Sequence, residues 1–183
     1  YKELAPLISE RQIVVLHGLR RTGKTVLLEQ MQYEFFQKHV KDNPKYLLRF
    51  SFESEDLDQR LPSTELSNLL DYYFKNVLNA AAATIERRVL IVLDEIQNVE
   101  NWPTVLKKYY DLNVNIKFLV SGSSVLFLKE DAESLAGRII EKLVTPLSFK
   151  EFLDLSSNSL PNLPNSLEEF LNLTPGLKIG RAH

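Results

Sequence analysis

An apolar run that leads into a glycine loop constrains this chain more than any other stretch. Residues 13–25 read IVVLHGLRRTGKT and contain the pattern GxxxxGK[ST]. This pattern requires a strand before the loop and a helix after it. The apolar residues at 13–16 and the helically spaced apolar residues from Val26 onward satisfy both requirements. The sequence therefore predicts a strand–loop–helix unit that surrounds a phosphate group.

The residue types of this loop explain why it would bind a nucleoside triphosphate. Two glycines permit backbone conformations in which successive amides turn toward an anion. Lys24 offers a positive charge to the β- and γ-phosphates, the Thr25 hydroxyl can ligate Mg²⁺, and the helix that follows directs its positive end at the same anion. We predict that ATP or ADP, with Mg²⁺, is bound by Gly18, Leu19, Arg20, Arg21, Thr22, Gly23, Lys24, Thr25 and Val26.

The amino-acid composition excludes several classes of protein. The 183 residues are 44% hydrophobic and 25% charged, as is typical of a globular domain. A net charge of −2 gives no overall basic surface, so we expect nucleic acid to be contacted only through domains beyond this chain. The chain contains no cysteine, which excludes disulfides and thiolate metal sites. Without a signal peptide or a long apolar run, we expect a cytoplasmic protein that does not associate with membranes.

Five apolar runs alternate with helical patterns along the chain. The strands are predicted at 11–17, 46–52, 89–93, 116–120 and 139–144. A short helical lead-in is predicted at 2–10, and helices at 25–40, 64–86, 102–110, 124–136 and 148–155. This alternation indicates βαβ units and a parallel sheet. We assign residues 1–155 to one α/β core, and residues 156–183 to a linker and the beginning of a truncated C-terminal lid region with a short helix around 167–171.

Two adjacent carboxylates end the third predicted strand, in the sequence VLIVLDEIQ. A phosphate loop requires a carboxylate at the end of a neighbouring strand to hold Mg²⁺, and Asp94 has that position. Glu95 can orient or deprotonate the attacking water, which favours hydrolysis over transfer to another substrate. An exposed acidic turn is the alternative interpretation, and the upstream phosphate loop argues against it.

The fourth predicted strand ends in the sequence SGSS, which carries candidate hydroxyls. If that strand lies between the first and third strands, a hydroxyl at its end could contact the γ-phosphate or the lytic water. Ser121 is the first candidate and Ser123 the second. A turn in which Ser123 or Ser124 caps the next helix is an equally weighted alternative.

Three arginines are candidates for contacts with the nucleotide or a partner. Arg138 precedes the fifth predicted strand and could stabilise charge on the transferring phosphoryl group, within the chain or from a neighbouring subunit. A structural salt bridge is the competing interpretation. Arg20 and Arg21 could add positive potential at the nucleotide or contact a partner.

Several motifs in order resemble one known family. The segments GLRRTGKT, VLDEIQNVENWPTVLKKYYD, KFLVSGSS, LAGR and TPLSFKEFL are similar to those of prokaryotic AAA+-type P-loop ATPases related to the STAND NTPases, over roughly residues 8–155. The resemblance implies a three-layer P-loop NTPase fold, with a five-stranded parallel sheet in the order 5-1-4-3-2 flanked by helices. It also maps Lys24 and Thr25 to the phosphate loop, Asp94 and Glu95 to the second nucleotide signature, and SGSS to the sensor position.

The function expected from these features is Mg-dependent ATP binding and hydrolysis, coupled to conformational change of C-terminal domains absent from this chain. Hydrolysis by this stretch alone is expected to be weak, because lid residues that close on the base are missing. A non-catalytic nucleotide-dependent switch or scaffold is the alternative, and a small-molecule P-loop kinase is disfavoured by Glu95. No Asn-Lys-x-Asp pattern is present, which favours adenine over guanine. Homo-oligomers or a protein partner are expected.

Overall fold

A computed structural model describes residues 3–53, 60–123, 135–149 and 151. Within these residues, five strands alternate with helices. The strands are β1 (Ile13–Gly18), β2 (Leu47–Ser51), β3 (Val89–Asp94), β4 (Ile116–Ser123) and β5 (Ile139–Leu143). The α-helices are α1 (Lys24–Phe35), α2 (Ser63–Tyr72) and α3 (Trp102–Leu112). Short 3-10 turns lie at Ala5–Ile8, Pro44–Tyr46, Ala82–Thr84 and Ile96–Asn98.

The five strands form one parallel sheet in the order β2-β3-β4-β1-β5. This order confirms the predicted 5-1-4-3-2 arrangement and the α/β fold class. Strand β3 is buried along its whole length, as expected for a strand covered on both faces. Because all five strands run the same way, the last residues of β1, β3 and β4 lie together at the carboxyl edge of the sheet.

Alternate residues of β1, β3 and β4 enter two separate cores. On one face, Val14 of β1 belongs to a buried cluster with Leu28, Met31 and Phe35 of α1. The buried apolar residues of α1 therefore face the sheet. On the other face, the neighbouring Val15 belongs to a cluster that includes side chains of α2 and α3. The sheet is thus the middle of three layers, and the packing of α1 fixes the position of the loop that precedes it.

Two helices continue beyond their α-helical segments as π-helical turns. Helix α1 runs on through Phe36–Val40, so its predicted end near residue 40 agrees with the structure. Helix α2 runs on through Tyr73–Val77 only, so the prediction of a helix as far as residue 86 is wrong. Asn79 takes a left-handed conformation with φ of 52°, which ends the helical path.

Tertiary hydrogen bonds explain why the alanine run at 80–83 is not an α-helix, despite its high helix propensity. The Asn113 side-chain amide donates to the carbonyl oxygens of Ala82 and Ile85, both at 2.9 Å. The Asn115 amide donates to the Ile85 carbonyl as well, at 2.9 Å. These amides satisfy carbonyls that a helix would pair internally, and the segment instead leads directly into β3.

The chain divides into two compact units, Tyr1–Pro146 and Leu147–His183. In the second unit, the Ser148 hydroxyl donates to Glu151 Oε2 at 2.7 Å. The helices predicted at 124–136, 148–155 and 167–171 fall mostly outside the described residues, and the domain boundary near 155 stays a prediction. Among the described residues, no helical segment combines the length and the apolar content that a membrane-spanning helix requires.

Candidate nucleotide site

The loop between β1 and α1 owes its shape to its two glycines. Gly23 is the N-cap of α1 and has a left-handed φ of 90°, a conformation that glycine adopts without strain. Gly18 is required for a different reason, since a Cβ atom there would collide with the carbonyl oxygen of Val144. The Thr22 hydroxyl donates to the Leu19 carbonyl at 2.9 Å and closes the loop on itself. The loop therefore has a fixed form at the N-terminus of a helix, where anions bind favourably.

Lys24 lies inside the loop rather than in solvent. Its side chain is only 5% exposed, and its Nζ donates to the carbonyl oxygens of Gly18 at 3.0 Å and Leu19 at 2.8 Å. A buried ammonium group needs such acceptors to offset the loss of water. The structure thus places the positive charge of Lys24 within the curve of the predicted phosphate loop.

Three donors converge on the carboxylate of Asp94 at the end of β3. The Thr25 hydroxyl donates to Oδ2 at 2.9 Å, the Ser121 hydroxyl donates to Oδ1, and the backbone N–H of Glu95 donates to Oδ1 at 3.0 Å. Asp94 itself is only 4% exposed. The adjoining Asp94 and Thr25 oxygens are the hard oxygen ligands that Mg²⁺ prefers, so these two residues fit the predicted metal site.

The side chain of Glu95 is held by a residue that the sequence analysis did not single out. Glu95 is non-glycine yet left-handed, with φ of 54°. Its Oε2 accepts a hydrogen bond from Gln97 Nε2, and Gln97 Oε1 accepts one from the Ser123 backbone N–H at 3.3 Å. Gln97 is buried, with 6% exposure. Its position two residues after Glu95 was the only sequence signal for this contact.

The two serine candidates at the end of β4 have different surroundings. As predicted, β4 lies between β1 and β3, and Ser123 pairs in register with Gly18. Ser121 is fully buried and its hydroxyl donates a hydrogen bond to Asp94 Oδ1, so the structure pairs this hydroxyl with the carboxylate. The alternative in which a serine caps the following helix falls on residues 124–134, outside the described residues.

Arg138 lies at the opposite edge of the sheet from the phosphate loop. Its guanidinium forms a two-point ion pair with Asp111, at 2.8 and 3.1 Å. Ile139 pairs with Ile13, and Gly18 lies five residues further along β1, a separation of roughly 17 Å. This placement corrects the prediction that Arg138 acts on the phosphoryl group within its own chain. The ion pair with Asp111 agrees with the competing interpretation, a structural salt bridge. The pairing also lowers the pKa of Asp111.

The other arginines of the motif stay at the loop. Arg20 and Arg21 are both exposed, as are the predicted binding residues Leu19 and Val26. Arg21 has a left-handed φ of 64°, which is strained for a residue with a Cβ atom. The loop thus presents two cationic side chains to solvent beside the predicted phosphate position.

One comparison decides the family of this chain. The model of the family described as "AAA domain" matches residues 10–153. The chain belongs to the AAA domain family. This membership confirms the resemblance to prokaryotic AAA+-type P-loop ATPases and makes the chain a nucleotide-binding domain.

The curated relatives that this chain matches extend well beyond the matched stretch. An uncharacterised protein of Methanocaldococcus jannaschii is 34% identical over 158 residues, which cover 86% of this chain and 32% of the relative. An uncharacterised protein of Haemophilus influenzae is 30% identical over 142 residues, covering 77% of this chain and 33% of the relative. The chain spans about a third of the length of these relatives.

Solved structures of two distant proteins share the fold. A DNA polymerase III gamma subunit-related protein from Thermotoga maritima superposes with a TM-score of 0.56, at 13% identity, over 84% of this chain and 48% of its own. The ORC1 protein of Aeropyrum pernix, solved in complex with DNA, gives a TM-score of 0.57, at 13% identity, over 84% of this chain and 46% of its own. At this identity the likeness concerns the fold alone.

Proposed function

We propose that this chain is the ATP-hydrolysing core of an AAA+-type protein. The observation that carries the proposal is the set of hydrogen bonds that joins the phosphate-loop hydroxyl of Thr25 to Asp94, and Asp94 to Ser121. The set joins the first turn of α1, the end of β3 and the last residues of β4, and Glu95 follows Asp94 directly. Such a convergence supports a site built for a metal-bound triphosphate rather than an ordinary acidic turn.

Each residue of the site has a distinct part in the proposed reaction. Lys24 and the loop amides bind the β- and γ-phosphates and stabilise charge that develops on them. Thr25 and Asp94 would hold Mg²⁺, which neutralises phosphate charge when it is bound. Ser121 fixes the orientation of the Asp94 carboxylate. Glu95 accepts a proton from the attacking water or orients that water.

Two substitutions test this division of roles in the intact protein. Lys24→Ala removes the cation from the loop and is expected to weaken binding of a fluorescent ATP analogue by roughly 100-fold or more. Glu95→Gln keeps the size of the side chain but removes its basicity, so binding should persist while phosphate release stops. Turnover that survives in the Glu95→Gln variant would refute the assignment of the base.

A slowly hydrolysing nucleotide switch is the second candidate, and the position of Arg138 favours it. Because the guanidinium of Arg138 is paired with Asp111 at the amino edge of the sheet, its charge does not reach a phosphate bound in the loop of the same chain. Hydrolysis would then be slow until a partner contributes a cation. Comparison of single-turnover with steady-state phosphate release separates the two, since a switch holds ATP with negligible steady-state release.

We also propose that nucleotide binding changes the arrangement of further domains of the intact protein. The proposal is supported by the length of the relatives, because this chain covers only about a third of each of them. We expect the intact protein, with its further domains, to form any homo-oligomer and to bind any protein partner or nucleic acid. Analytical ultracentrifugation of the intact protein with ATP, with ADP and without nucleotide tests whether assembly depends on the bound nucleotide.

A further inference from the structure

The side chain of Gln97 occupies an unusual place beside the candidate site. It lies in the 3-10 turn that follows β3 and is 6% exposed. A buried amide is costly unless both its donor and its acceptor are paired. Both ends of this amide are paired within the protein: one partner is the carboxylate of the half-buried Glu95 and the other is the backbone of the half-buried Ser123.

The direction of these two bonds is fixed by chemistry. The Ser123 backbone N–H can only donate, so the Gln97 oxygen must face it. The Gln97 NH₂ group is then left to face Glu95, whose carboxylate can accept. One planar amide therefore links the end of β4 to the residue proposed as the base.

We propose that Gln97 is a positioning residue that orients the Glu95 carboxylate toward the attacking water and ties that orientation to the end of β4. The proposal rests on the proposed ATPase function and deepens it. Glu95 needs such support, because its own backbone is in a strained left-handed conformation and its side chain would otherwise be free to rotate. The link also lets a displacement of Ser123, which pairs with Gly18 of the phosphate loop, change the position of Glu95.

Two substitutions separate the two ends of the amide. Gln97→Met keeps the length of the side chain and removes both hydrogen bonds. Gln97→Glu keeps an acceptor for the Ser123 N–H but replaces the donor to Glu95 with a like charge. Asn98→Ala is the matched control, because Asn98 lies in the same turn but its side-chain amide donates to the Phe52 carbonyl at 2.8 Å instead of to the Glu95 carboxylate, and the substitution keeps the backbone bond from Asn98 to the Glu95 carbonyl.

The first readout is kinetic. We expect Gln97→Met to lower kcat by roughly 10- to 100-fold, as is typical when a supporting residue is lost, with the Kd for ATP nearly unchanged. Gln97→Glu should lower kcat at least as much, and Asn98→Ala should not. In a Glu95→Gln background, Gln97→Met should cause no further loss. A kcat of Gln97→Met equal to that of the wild type, or matched by Asn98→Ala, would overturn the proposal.

The second readout needs no turnover and uses NMR of the nucleotide-free protein. The side-chain NH₂ signals of Gln97 should shift on Glu95→Gln, and the Ser123 amide should exchange about fivefold faster in Gln97→Met but not in Gln97→Glu. If the Gln97 NH₂ signals do not shift on Glu95→Gln and the Ser123 amide exchanges at the same rate in Gln97→Met, the contact itself is refuted. If instead the NMR results hold but neither the wild type nor any variant releases phosphate, the proposed ATPase function fails while the contact stands.

Discussion

Two buried lysines at opposite edges of the sheet make the same kind of contact with opposite consequences. Lys24 donates to the carbonyl oxygens of Gly18 and Leu19 at the carboxyl edge, and Lys117 donates to those of Glu10 and Gln12 at the amino edge. Their exposed fractions are 5% and 7%. Neither burial nor hydrogen bonding therefore distinguishes Lys24, the lysine proposed to bind phosphate, from Lys117.

The surroundings of the two ammonium groups provide the distinction. Lys24 lies at the first turn of α1, in a loop whose glycines leave room for an anion, and next to the Thr25–Asp94 contact. Lys117 projects from β4 and fastens the segment before β1 to the sheet. Burial lowers the pKa of Lys117 to about 7, against the opposing influence of Glu10. We therefore expect the carboxyl edge to govern nucleotide binding and the amino edge to govern stability.

The largest expected effect comes from exchanging the two lysines for the same uncharged residue. Lys24→Met should weaken ATP binding by roughly 100-fold, equivalent to about 3 kcal/mol, because a charged contact to phosphate is lost. Lys117→Met should leave the affinity unchanged, since that side chain lies at the other edge. Isothermal titration of both variants with ATP measures the contrast. Equal losses in the two variants would remove the distinction between the edges.

A pair of glycine substitutions separates the two reasons for glycine within the carboxyl edge. Gly18→Ala should lower the free energy of unfolding by at least about 2 kcal/mol, because its Cβ meets backbone that cannot easily move. Gly23→Ala meets no neighbouring atom, and only its left-handed φ should cost about 1 kcal/mol. Urea denaturation of each variant checks the order. A greater loss in Gly23→Ala would mean that backbone strain outweighs the collision.

The burial of Lys117 at the amino edge should make the free energy of unfolding depend on pH. Because the pKa of Lys117 is lowered on folding, the unfolded chain binds more protons between pH 7 and 10.5. Stability should therefore rise with pH across this window, by at most about 1.4 kcal/mol per unit, and this contribution should level off below pH 7. Lys117→Met should remove the slope, and the exposed Lys75→Met should retain it. Parallel curves for wild type and Lys117→Met between pH 7 and 9 would contradict the assignment.

Patterns that depend on local spacing could be predicted from the sequence. The phosphate loop, the carboxylates at the end of β3 and the alternation of strands with helices all follow from periodicity and motif chemistry. The strand order came from the family resemblance, since spacing alone does not fix which strands are neighbours. Even the candidate set of Thr25, Asp94 and Ser121 depended on that order to be brought together.

Contacts between residues distant in sequence could not be predicted. The amides of Asn113 and Asn115 override the helix propensity of the alanine run, and no local pattern announces them. The same holds for the two-sided pairing of Gln97, which needs β4 beside β3. Arg138 illustrates a different error. An arginine is chemically suited to contact phosphate, but Arg138 precedes β5 and therefore lies at the amino edge of the parallel sheet, away from the phosphate loop.

The smallest expected effect concerns this arginine. Arg138→Gln breaks an exposed ion pair, so we expect a small loss of stability at neutral pH. The loss should vanish as the pH falls through the lowered pKa of Asp111, where the carboxyl is protonated and the pair is absent in wild type too. Single-turnover hydrolysis should be unchanged, as it should be in the control Arg88→Gln. If hydrolysis by the assembled protein drops only in Arg138→Gln while ATP affinity holds, the guanidinium acts on a neighbouring subunit, and the amino edge of one chain then completes the carboxyl edge of another.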